Sequence, residues 1–349
     1  QMLGAAGASL GITCRFLDPA DAPPAASVGH VVQQPFDDPS ALRELADACT
    51  VITYEFENVP VAALTAIDDD VAVYPPLAAL QHAQDRATEK KLFEELGIPL
   101  PRWWAVDSLA DLEAAATHVG LPLVLKTRRF GYDGKGQRVI HKPEEFPDAL
   151  ENLPNRPLVA EQWIAFEREV SAIGVRGKDG EQAFYPLTEN VHRQGILHTS
   201  CAPFDDTALA RQAEDYLRRL LERLDYVGVL ALEFFVRDNK LLANEFAPRV
   251  HNSGHWTIEG ADTSQFENHL RAVLGMPLGS TAARGHAGML NLIGTMPTDP
   301  AAICASGAVL HDYGKKPRSG RKLGHITVIA DDAASRDRQI SRLSAMLAN

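Results

Sequence analysis

The sequence predicts a chain of several domains that combines α/β and α+β architecture. Strand-like and helix-like segments alternate over the first 98 residues, which is typical of a small parallel sheet covered by helices. Two hairpin patterns follow, one rich in glycine at 123–140 and one rich in apolar residues at 229–246. We therefore expect four segments, which span 1–98, 99–187, 188–281 and 282–349.

Composition restricts the class of protein. Of the 349 residues, 45% are hydrophobic and 23% charged, which suits several domains with real cores. The formal net charge of −12 argues against a general nucleic-acid-binding surface. No apolar run approaches the length of a membrane span, and the four cysteines are widely separated. We expect reduced thiols, a cytoplasmic location and neither a membrane nor a nucleic acid as partner.

The N-terminal segment has the pattern of a parallel α/β unit, in which short apolar runs predict strands and amphipathic runs predict helices. In order these are a helix end at 1–10, strand 12–17, helix 42–48, strand 51–54, helix 60–67 and strand 71–74. A charged amphipathic helix at 85–96 follows. Gly97 and Pro99 end it, which predicts a domain boundary near residue 98.

The second segment has the pattern of a compact α+β lid. Its elements are strand 103–106, helix 109–119, the glycine-rich hairpin, helix 143–150 and strand 158–162. Further strands at 169–175 and 183–187 and a long helix at 207–224 lead into the third segment.

The glycine-rich hairpin contains the first candidate ligand site. Its first strand ends in Lys126, and Gly131, Gly134 and Gly136 lie in the loop that follows. Glycines let backbone N–H groups turn toward a phosphate, and the lysine adds a point charge. No helix follows the loop, so it is neither a Walker A loop nor a dinucleotide fingerprint. An ordinary glycine-rich hairpin is the alternative.

The second hairpin places carboxylates in an apolar strand. Glu233 interrupts an apolar run, Asp238 and Asn239 supply the turn, and Glu245 lies on the returning strand. A two-residue loop would put the glutamates on opposite faces, and an odd-numbered loop would put them on one face. On one face they would repel unless a divalent cation such as Mg²⁺ lay between them. Two solvated glutamates are the alternative.

The C-terminal part contains a polar loop and a basic run. Residues 248–255 are polar and turn-rich, as in a binding loop. Strands are predicted at 288–293, 309–313 and 323–330, and a helix at 334–347. The basic residues are Lys315, Lys316, Arg318, Arg321 and Lys322. In an acidic protein this run predicts a phosphate clamp, with a solvated face as the alternative.

These motifs together make the chain resemble the ATP-grasp superfamily, and within it the N5-carboxyaminoimidazole ribonucleotide synthetase family of purine biosynthesis. The resemblance rests on motifs in family order over nearly the whole chain. They are YEFENV (54–59), DR (85–86), LKTRRFGYDGKGQ (125–137), EQWI (161–164), FYPLTENVHRQGIL (184–197), ANEFAPRVHNSGHWT (243–257) and YGKKPRSGRKLGH (313–325).

The resemblance implies an ATP-grasp fold with an ATP site between the lid and the central domain. The ATP-binding residues it implies are Arg86, Lys126, Gly131, Tyr132, Asp133, Gly134, Lys135, Gly136, Gln137, Glu161, Gln162, Trp163, Ile164, Glu169, His192, Asn244 and Glu245. Glu233 and Glu245 would hold Mg²⁺, with Mn²⁺ as an alternative.

The resemblance also implies the reaction, in which ATP and bicarbonate form carboxyphosphate and 5-aminoimidazole ribonucleotide is carboxylated. The catalytic residues it implies are Lys126, Arg249, His251, Lys315 and Tyr132. The residues it implies for the ribonucleotide are Glu57, Asp133, Arg138, Arg249, Lys315, Arg321 and Lys322. A cytoplasmic homodimer is the expected assembly.

Two features depart from the family pattern. Many ATP-grasp enzymes have Asn two residues after the second metal-binding Glu, where this chain has Ala247. The family's opening strand and Gly-Gly-Gln loop do not precede Gln1, so we expect part of the ribonucleotide pocket to lie before this sequence.

Two alternative functions stay open. One is another ATP-grasp ligase, such as the formate-using glycinamide ribonucleotide transformylase, against which the motif KKPRSGRKLGH argues. The other is an ATP-binding regulatory protein that has lost catalysis, against which Lys126, Glu233 and Glu245 argue.

Overall fold

The computed structural model describes residues 1–131, 135–153 and 157–347. Three predicted site residues, Tyr132, Asp133 and Gly134, lie outside the described residues. The described strands are β1 (Arg15–Leu17), β2 (His30–Val32), β3 (Trp103–Val106), β4 (Leu123–Thr127), β5 (Gln137–Ile140), β6 (Leu158–Gln162), β7 (Arg168–Arg176), β8 (Gln182–Phe184), β9 (Thr188–Arg193), β10 (Ile196–Ala202), β11 (Gly228–Arg237), β12 (Lys240–Ala247), β13 (His286–Ile293), β14 (Val309–Asp312) and β15 (Lys322–Ala330).

The α-helices cover these sheets. They are α1 (Met2–Ser9), α2 (Pro39–Ala48), α3 (Val61–Thr65), α4 (Leu77–Ala83), α5 (Arg86–Glu95), α6 (Leu109–Val119), α7 (Phe146–Asn152), α8 (Thr207–Arg223), α9 (Thr257–Gly260), α10 (Gln265–Leu274), α11 (Pro300–Ala305) and α12 (Ala333–Leu347). In the part of the chain that the structure describes, none of the helices is long and apolar enough to cross a membrane.

The N-terminal segment contains the predicted parallel pairing, but less of it than the sequence predicts. Strands β1 and β2 pair in parallel, and Ile52 forms an isolated parallel bridge with Val73. The backbone hydrogen bonds there, from Ile52 N to Ala72 O and from Tyr74 N to Ile52 O, involve a single residue of the first run. The two strands predicted at these positions are therefore reduced to one bridge.

The lid is a four-stranded antiparallel sheet in the order β3-β6-β4-β5. Helices α6 and α7 pack on it around a buried apolar cluster that includes Leu112, Leu125 and Phe146. The elements predicted for this region are confirmed, since strong local periodicity determines them. The glycine-rich hairpin joins β4 to β5, so Lys126 lies at the end of a central strand of the lid.

The second sheet is larger and joins segments that the sequence analysis separates. It has nine strands, in the order β12-β11-β7-β9-β10-β13-β15-β14, and β8 pairs with β7. Strand β7 lies inside the predicted lid of residues 99–187, yet it pairs with β11 along nine residues. The boundary predicted at residue 187 is therefore wrong for the sheets, because the lid sheet ends at Gln162. The third and fourth predicted segments also share this sheet, through β10 and β13.

Apolar layers on both faces hold the strands that carry the two glutamates. Helix α8 begins at Asp206, whose side chain accepts from the N–H groups of Ala208 and Leu209. Its buried residues recur at helical spacing and pack against β7, β11 and β12. Helix α10 and Trp256 belong to the layer on the other face. Packing on both faces therefore holds the backbone of this part of the hairpin, so we expect a substitution there to leave the backbone in place.

A buried histidine ties the N-terminal segment to the large sheet. His269 of α10 accepts a hydrogen bond at Nδ1 from the N–H of Val229, over 3.1 Å. Its Nε2 therefore carries the proton and donates to Oγ1 of Thr53, over 2.7 Å. Burial lowers the pKa of His269 from its ordinary value of 6.5 to about 4. The native state thus keeps this ring neutral at pH values where the unfolded chain protonates it.

We predict that His269 makes the protein less stable in mild acid. Its contribution is fully present above pH 6.5 and is lost as the pH falls toward about 4, because only the unfolded state binds the proton in that range. Replacing His269 with Gln should reduce the fall in unfolding free energy between pH 7.5 and pH 5 by about 2 kcal/mol. Urea unfolding at the two pH values measures this.

The control is His141→Gln, which replaces an exposed histidine of the lid. The other buried histidines contribute equally to the pH dependence of unfolding in the parent and in the His269 variant. Equal pH dependence in the parent and the His269 variant would contradict the prediction.

Candidate active site

The turn between β11 and β12 has two residues, and both have left-handed backbone. Asp238 and Asn239 have φ values of 51° and 55°, and Arg237 pairs with Lys240 across them. This conformation suits a two-residue hairpin. With regular pairing, Glu233 would lie opposite Asn244, and Glu245 would point to the other face.

A β-bulge reverses that outcome. Phe234 pairs with Ala243, whereas Leu232 pairs with Phe246, so the register shifts by one residue between them. Two residues of β12, Asn244 and Glu245, therefore lie opposite Glu233 alone. The glutamates can share a face even though the loop has two residues. The expectation that such a loop separates them is wrong here, because a bulge supplies the odd residue.

The two glutamates have different electrostatic surroundings. Burial, and then the charge of Glu245, raise the pKa of Glu233 to about 7. Burial also opposes ionisation of Glu245, but Arg86 outweighs it by charge and a hydrogen bond, so the pKa of Glu245 is lowered. Nη1 of Arg86 lies 2.8 Å from Oε2 of Glu245. Glu245 is thus ionised at neutral pH and disfavours a second negative charge beside it.

These residues fit a hard divalent cation. Two carboxylates and the amide oxygen of Asn244 lie at one bulge, and oxygen ligands suit Mg²⁺ or Mn²⁺. Among the described residues, no three or more His, Cys, Asp or Glu side chains are arranged to hold a metal ion. A cation at Glu233 and Glu245 would therefore complete its shell with water or phosphate oxygens, as Mg²⁺ commonly does.

A buried ion cluster lies at the end of β4. Nζ of Lys126 is 2.9 Å from Oε2 of Glu161, and Nζ of Lys90 is 3.1 Å from Oε1 of the same carboxylate. Burial lowers the pKa of Lys126, although Glu161 opposes this. The Glu161 side chain, predicted for the adenine hinge, is therefore engaged by two lysines. The rest of the predicted EQWI segment consists of Gln162, the last residue of β6, and of Trp163 and Ile164, which follow the strand.

Lys90 was not among the predicted site residues, although its position in the sequence indicated a buried charge. Lys90 follows Arg86 by four residues on α5, so both lie on one face of the helix. Their neighbours Leu92 and Phe93 are fully buried. A lysine on the same face as a predicted ATP-binding arginine, on a helix with buried apolar residues, is a candidate for a buried charge.

Two of the predicted ATP-binding residues form a second pair. Nδ1 of His192 on β9 lies 2.9 Å from Oε2 of Glu169 on the neighbouring strand β7. Burial alone would lower the pKa of His192, but the hydrogen bond to Glu169 and nearby carboxylates raise it. The rings of Phe166 and Phe235 stack with centroids 4.8 Å apart. This part of the large sheet thus combines polar and aromatic groups.

The described part of the glycine-rich loop is tightly folded at its second end. Gly136 has φ = 72°, and a Cβ there would lie 2.7 Å from Oγ1 of Thr127. Thr127 N also donates to the carbonyl of Gly136 over 2.8 Å. Gly131 precedes the undescribed residues, and Lys135 and Gln137 follow them. Glycine at position 136 is therefore required by conformation as well as by space.

A loop after β12 contains two of the predicted catalytic residues, Arg249 and His251, and brings them close to the carboxylates. His251 accepts at Nδ1 from the N–H of Ser253, over 3.3 Å, and its Nε2 faces Oε1 of Glu233 at 3.4 Å. Burial lowers the pKa of His251 well below its usual range, so the ring is neutral and Nε2 carries the proton. Nη2 of Arg249 lies 2.9 Å from Oε1 of Glu57, which is contributed by the N-terminal segment.

The loop opens into a cavity of about 1190 Å³ between the N-terminal segment, the loop and the C-terminal basic run. Its charged lining residues are Arg15, Asp18, Glu55, Arg249, Lys315, Arg321 and Lys322. The predicted basic run is thus divided, since Lys316 and Arg318 do not line the cavity. The part that faces inward could bind an anion.

Arg138 is not brought to this cavity in the structure. It forms an ion pair with Asp148 of α7, within the lid. It lies on β5, which is an edge strand of the lid sheet.

Sequence analysis also missed the groups that support Lys315. Nζ of Lys315 lies 5.2 Å from the ring centroid of Tyr313, within reach of a cation–π interaction. The Tyr313 hydroxyl contacts Nδ1 of His325 at 2.8 Å and Nδ1 of His255 at 3.1 Å. Burial, and then Arg321, lower the pKa of Lys315. Lys315 is therefore fixed by an aromatic ring whose hydroxyl is itself held in place.

Three family models match the chain in succession. Residues 1–84 match the ribonucleotide synthetase preATP-grasp domain, residues 91–266 the ATP-grasp domain and residues 287–339 the phosphoribosylaminoimidazole carboxylase C-terminal domain. The resemblance seen in the motifs is confirmed by these matches.

Named relatives match along nearly the whole chain. The N5-carboxyaminoimidazole ribonucleotide synthase of Pseudomonas aeruginosa is 49% identical over 347 residues, which cover 99% of this chain and 96% of that protein. A synthase of the same name from Brucella melitensis is 48% identical and covers 94% of this chain and 93% of that protein.

Solved structures agree. The N5-carboxyaminoimidazole ribonucleotide synthetase of Thermus thermophilus is 51% identical and superposes with a TM-score of 0.95, covering 100% of this chain and 96% of that one. The Aspergillus clavatus synthase in complex with ADP and 5-aminoimidazole ribonucleotide is 33% identical, with a TM-score of 0.89, covering 99% and 95%. The chain belongs to the N5-carboxyaminoimidazole ribonucleotide synthase family of ATP-grasp ligases.

Proposed function

We propose that the protein catalyses the ATP-dependent carboxylation of 5-aminoimidazole ribonucleotide by bicarbonate, in purine biosynthesis. The products are N5-carboxyaminoimidazole ribonucleotide, ADP and phosphate. One observation carries the proposal beyond family membership, namely the contact between His251 and Glu233 at 3.4 Å. It joins the carboxylate pair suited to a metal–nucleotide complex to the loop that opens into a basic cavity. A phosphoryl-transfer site and an acid-binding site are therefore adjacent.

The ATP end needs charge compensation. Arg86 and Lys126 supply cations at the two predicted phosphate positions, and each is paired with a glutamate before nucleotide arrives. Glu233 and Glu245 would hold Mg²⁺, or Mn²⁺. When bound, the cation would offset the negative charge of the phosphates. Trp163 and Ile164 would border the adenine, with Glu169 and His192 near the ribose.

The bicarbonate end needs a planar cation and a neutral donor. The Arg249 guanidinium can form paired hydrogen bonds with a planar carboxylate such as bicarbonate. Nε2–H of His251 can donate to the same anion, and Lys315 adds a charge. A bicarbonate oxygen attacks the γ-phosphorus of ATP and ADP leaves, which gives carboxyphosphate. The exocyclic amine of the ribonucleotide then attacks the carbon of carboxyphosphate, from which phosphate leaves, or the carbon of CO₂ that carboxyphosphate has released together with phosphate. In either case the amine loses a proton.

Carboxyphosphate hydrolyses readily, so the lid must exclude water during both steps. Gly131 and Gly136, which the structure describes, would permit closure of the hairpin over the phosphates. Closure would also bring Arg138 toward the ribonucleotide. We further propose that the protein acts in the cytoplasm as a homodimer, as the resemblance implies.

The ribonucleotide end is the basic cavity. Arg249, which is paired with Glu57, lines this cavity together with Arg321 and Lys322 of the C-terminal side. A phosphomonoester carries nearly two negative charges, which requires cationic donors in a protein of net charge −12. The volume of the cavity is sufficient for a nucleotide of this size.

We predict that Arg321→Ala raises the KM for 5-aminoimidazole ribonucleotide by about ten- to a hundredfold. The loss of one charge-assisted contact to phosphate accounts for that factor. The KM for ATP should stay within about twofold, because Arg321 belongs to the other end of the site. Steady-state kinetics with each substrate varied in turn provides the measurement.

The matched control is Arg318→Ala, which removes the same charge from the same basic run outside the cavity lining. It should change neither constant by more than about twofold. Equal effects of the two substitutions would mean that the run acts through general charge and not as a phosphate clamp.

A further inference from the structure

The carboxylate of Glu161 is shared by two lysines that differ in their freedom to move. Lys126 lies at the end of β4, next to the glycine-rich loop, and 11% of its side chain is exposed. Lys90 lies on α5, and none of its side chain is exposed. Each ammonium approaches a different oxygen of Glu161, at 2.9 Å and 3.1 Å. One lysine can therefore reach toward a ligand, whereas the other is enclosed by protein.

The charges around the cluster make Glu161 depend mainly on these two lysines. Arg86 also lowers the pKa of Glu161, but to a smaller extent, and it is paired with Glu245 at 2.8 Å. Burial raises the pKa of Glu89 to about 8, so this neighbour is largely neutral at pH 7. Burial would also raise the pKa of Glu161, but Lys126 and then Lys90 outweigh it and lower the pKa to about 2. Glu161 thus stays ionised in the interior at neutral pH.

Nucleotide binding changes the balance in this cluster. If Lys126 contacts phosphate oxygens, its ammonium must share or leave Glu161 Oε2. A buried carboxylate that loses its partner is strongly unfavourable, because the interior solvates the charge poorly. The free-energy cost of leaving Glu161 without a partner would directly lower nucleotide affinity. A second cation that stays beside Glu161 would remove most of this cost.

We propose that Lys90 is a positioning residue for nucleotide binding, which acts through Glu161. It holds the carboxylate neutralised and in place, so that Lys126 is free to contact the phosphates. This inference rests on the proposed function only in that Lys126 meets the phosphates of ATP. The alternative is a buried ion pair that stabilises the fold and has no effect on ligand affinity.

The test compares Lys90→Met with the parent protein by calorimetric titration with ADP in the presence of Mg²⁺. Methionine keeps the apolar length of the side chain and removes the charge. We expect ADP affinity to fall by at least about tenfold, because Glu161 then retains Lys126. Lys91→Met is the matched control, since Lys91 is the exposed neighbour on the same helix, and its affinity should equal that of the parent.

A double-mutant cycle separates this role from general damage to the fold. In a Glu161→Gln background the buried carboxylate is absent, so the addition of Lys90→Met should change ADP affinity by less than about twofold. A structural role would lower the unfolding temperature in both backgrounds without this pattern in affinity. An equal loss of affinity in both backgrounds, or none in the parent background, would overturn the proposal.

A measurement on the unaltered protein keeps the proposal testable if a variant fails to fold. In a crystal structure of the ADP–Mg²⁺ complex, Lys90 Nζ should remain within hydrogen-bond distance of Glu161, while Lys126 Nζ moves to the phosphates. A Lys126 Nζ that contacts only Glu161 and no phosphate oxygen, or a Lys90 that has left Glu161, would refute the inference alone. A parent protein that binds no ADP would refute the proposed function and this inference with it.

Discussion

Replacing Lys126 with alanine should lower ATP turnover at least about a hundredfold with any carboxyl acceptor. The Lys126 ammonium is the cation at the end of a central strand of the lid. Phosphoryl transfer would place growing negative charge next to this ammonium. The Lys126→Ala variant should remain folded, because Lys90 still neutralises Glu161. A coupled assay for ADP at saturating substrates measures the effect.

Lys142→Ala is a suitable control, since it removes an exposed lysine of the same lid domain. Glu245→Gln should reproduce the loss seen with Lys126→Ala, because it removes one of the two carboxylates that would bind the cation. Near-parental ADP production by either site variant would show that phosphoryl transfer takes place elsewhere.

Glu161→Ala should have the largest effect on stability, with a loss of about 3–5 kcal/mol of unfolding free energy. The substitution leaves Lys90 and Lys126 together in the interior without the carboxylate that lies between them. Both desolvation and mutual repulsion then oppose folding. Urea unfolding at pH 7.5 gives the value directly.

Glu113→Ala serves for comparison, because it removes an exposed carboxylate from a helix of the lid. It should change the unfolding free energy by less than about 0.5 kcal/mol. If the two alanine variants were equally stable, the Glu161 cluster would contribute little to the fold, and the inference about Lys90 would lose its electrostatic basis.

Local patterns made the lid predictable. Its strands and helices are short, strongly periodic and bounded by turn residues, so each element could be identified without knowledge of the others. The motifs around Lys126 and Glu245 were specific enough to indicate the family. The matches over 91–266 and 287–339 confirm that part of the prediction.

Non-local pairing was not predictable in the same way. Strand β7 follows the lid in sequence but pairs with β11, and no local signal indicates which sheet a strand joins. The bulge opposite Glu233 is a similar case. Regular pairing across a two-residue loop would place the two glutamates on opposite faces of the hairpin. One extra residue in β12 reverses that result. Periodicity does not reveal that residue, because both strands remain apolar around it.

Buried charges were the other omission. Charged residues on a helix are usually solvated, so Lys90 drew no attention in the sequence. Lys90 lies beside Glu161, which belongs to a strand that is distant in the sequence. Tyr313 was not predicted for the same reason, since its hydroxyl contacts His255 of a distant loop.

The central claim is that ATP cleavage is coupled to carboxylation of the ribonucleotide. The most direct measurement follows ADP release together with incorporation of labelled bicarbonate into product, with each substrate omitted in turn and formate offered in place of bicarbonate. We expect one carboxylated product for each ADP, and little ADP when the ribonucleotide or bicarbonate is absent. Undiminished ADP release with formate, or without the ribonucleotide, would contradict the proposed reaction.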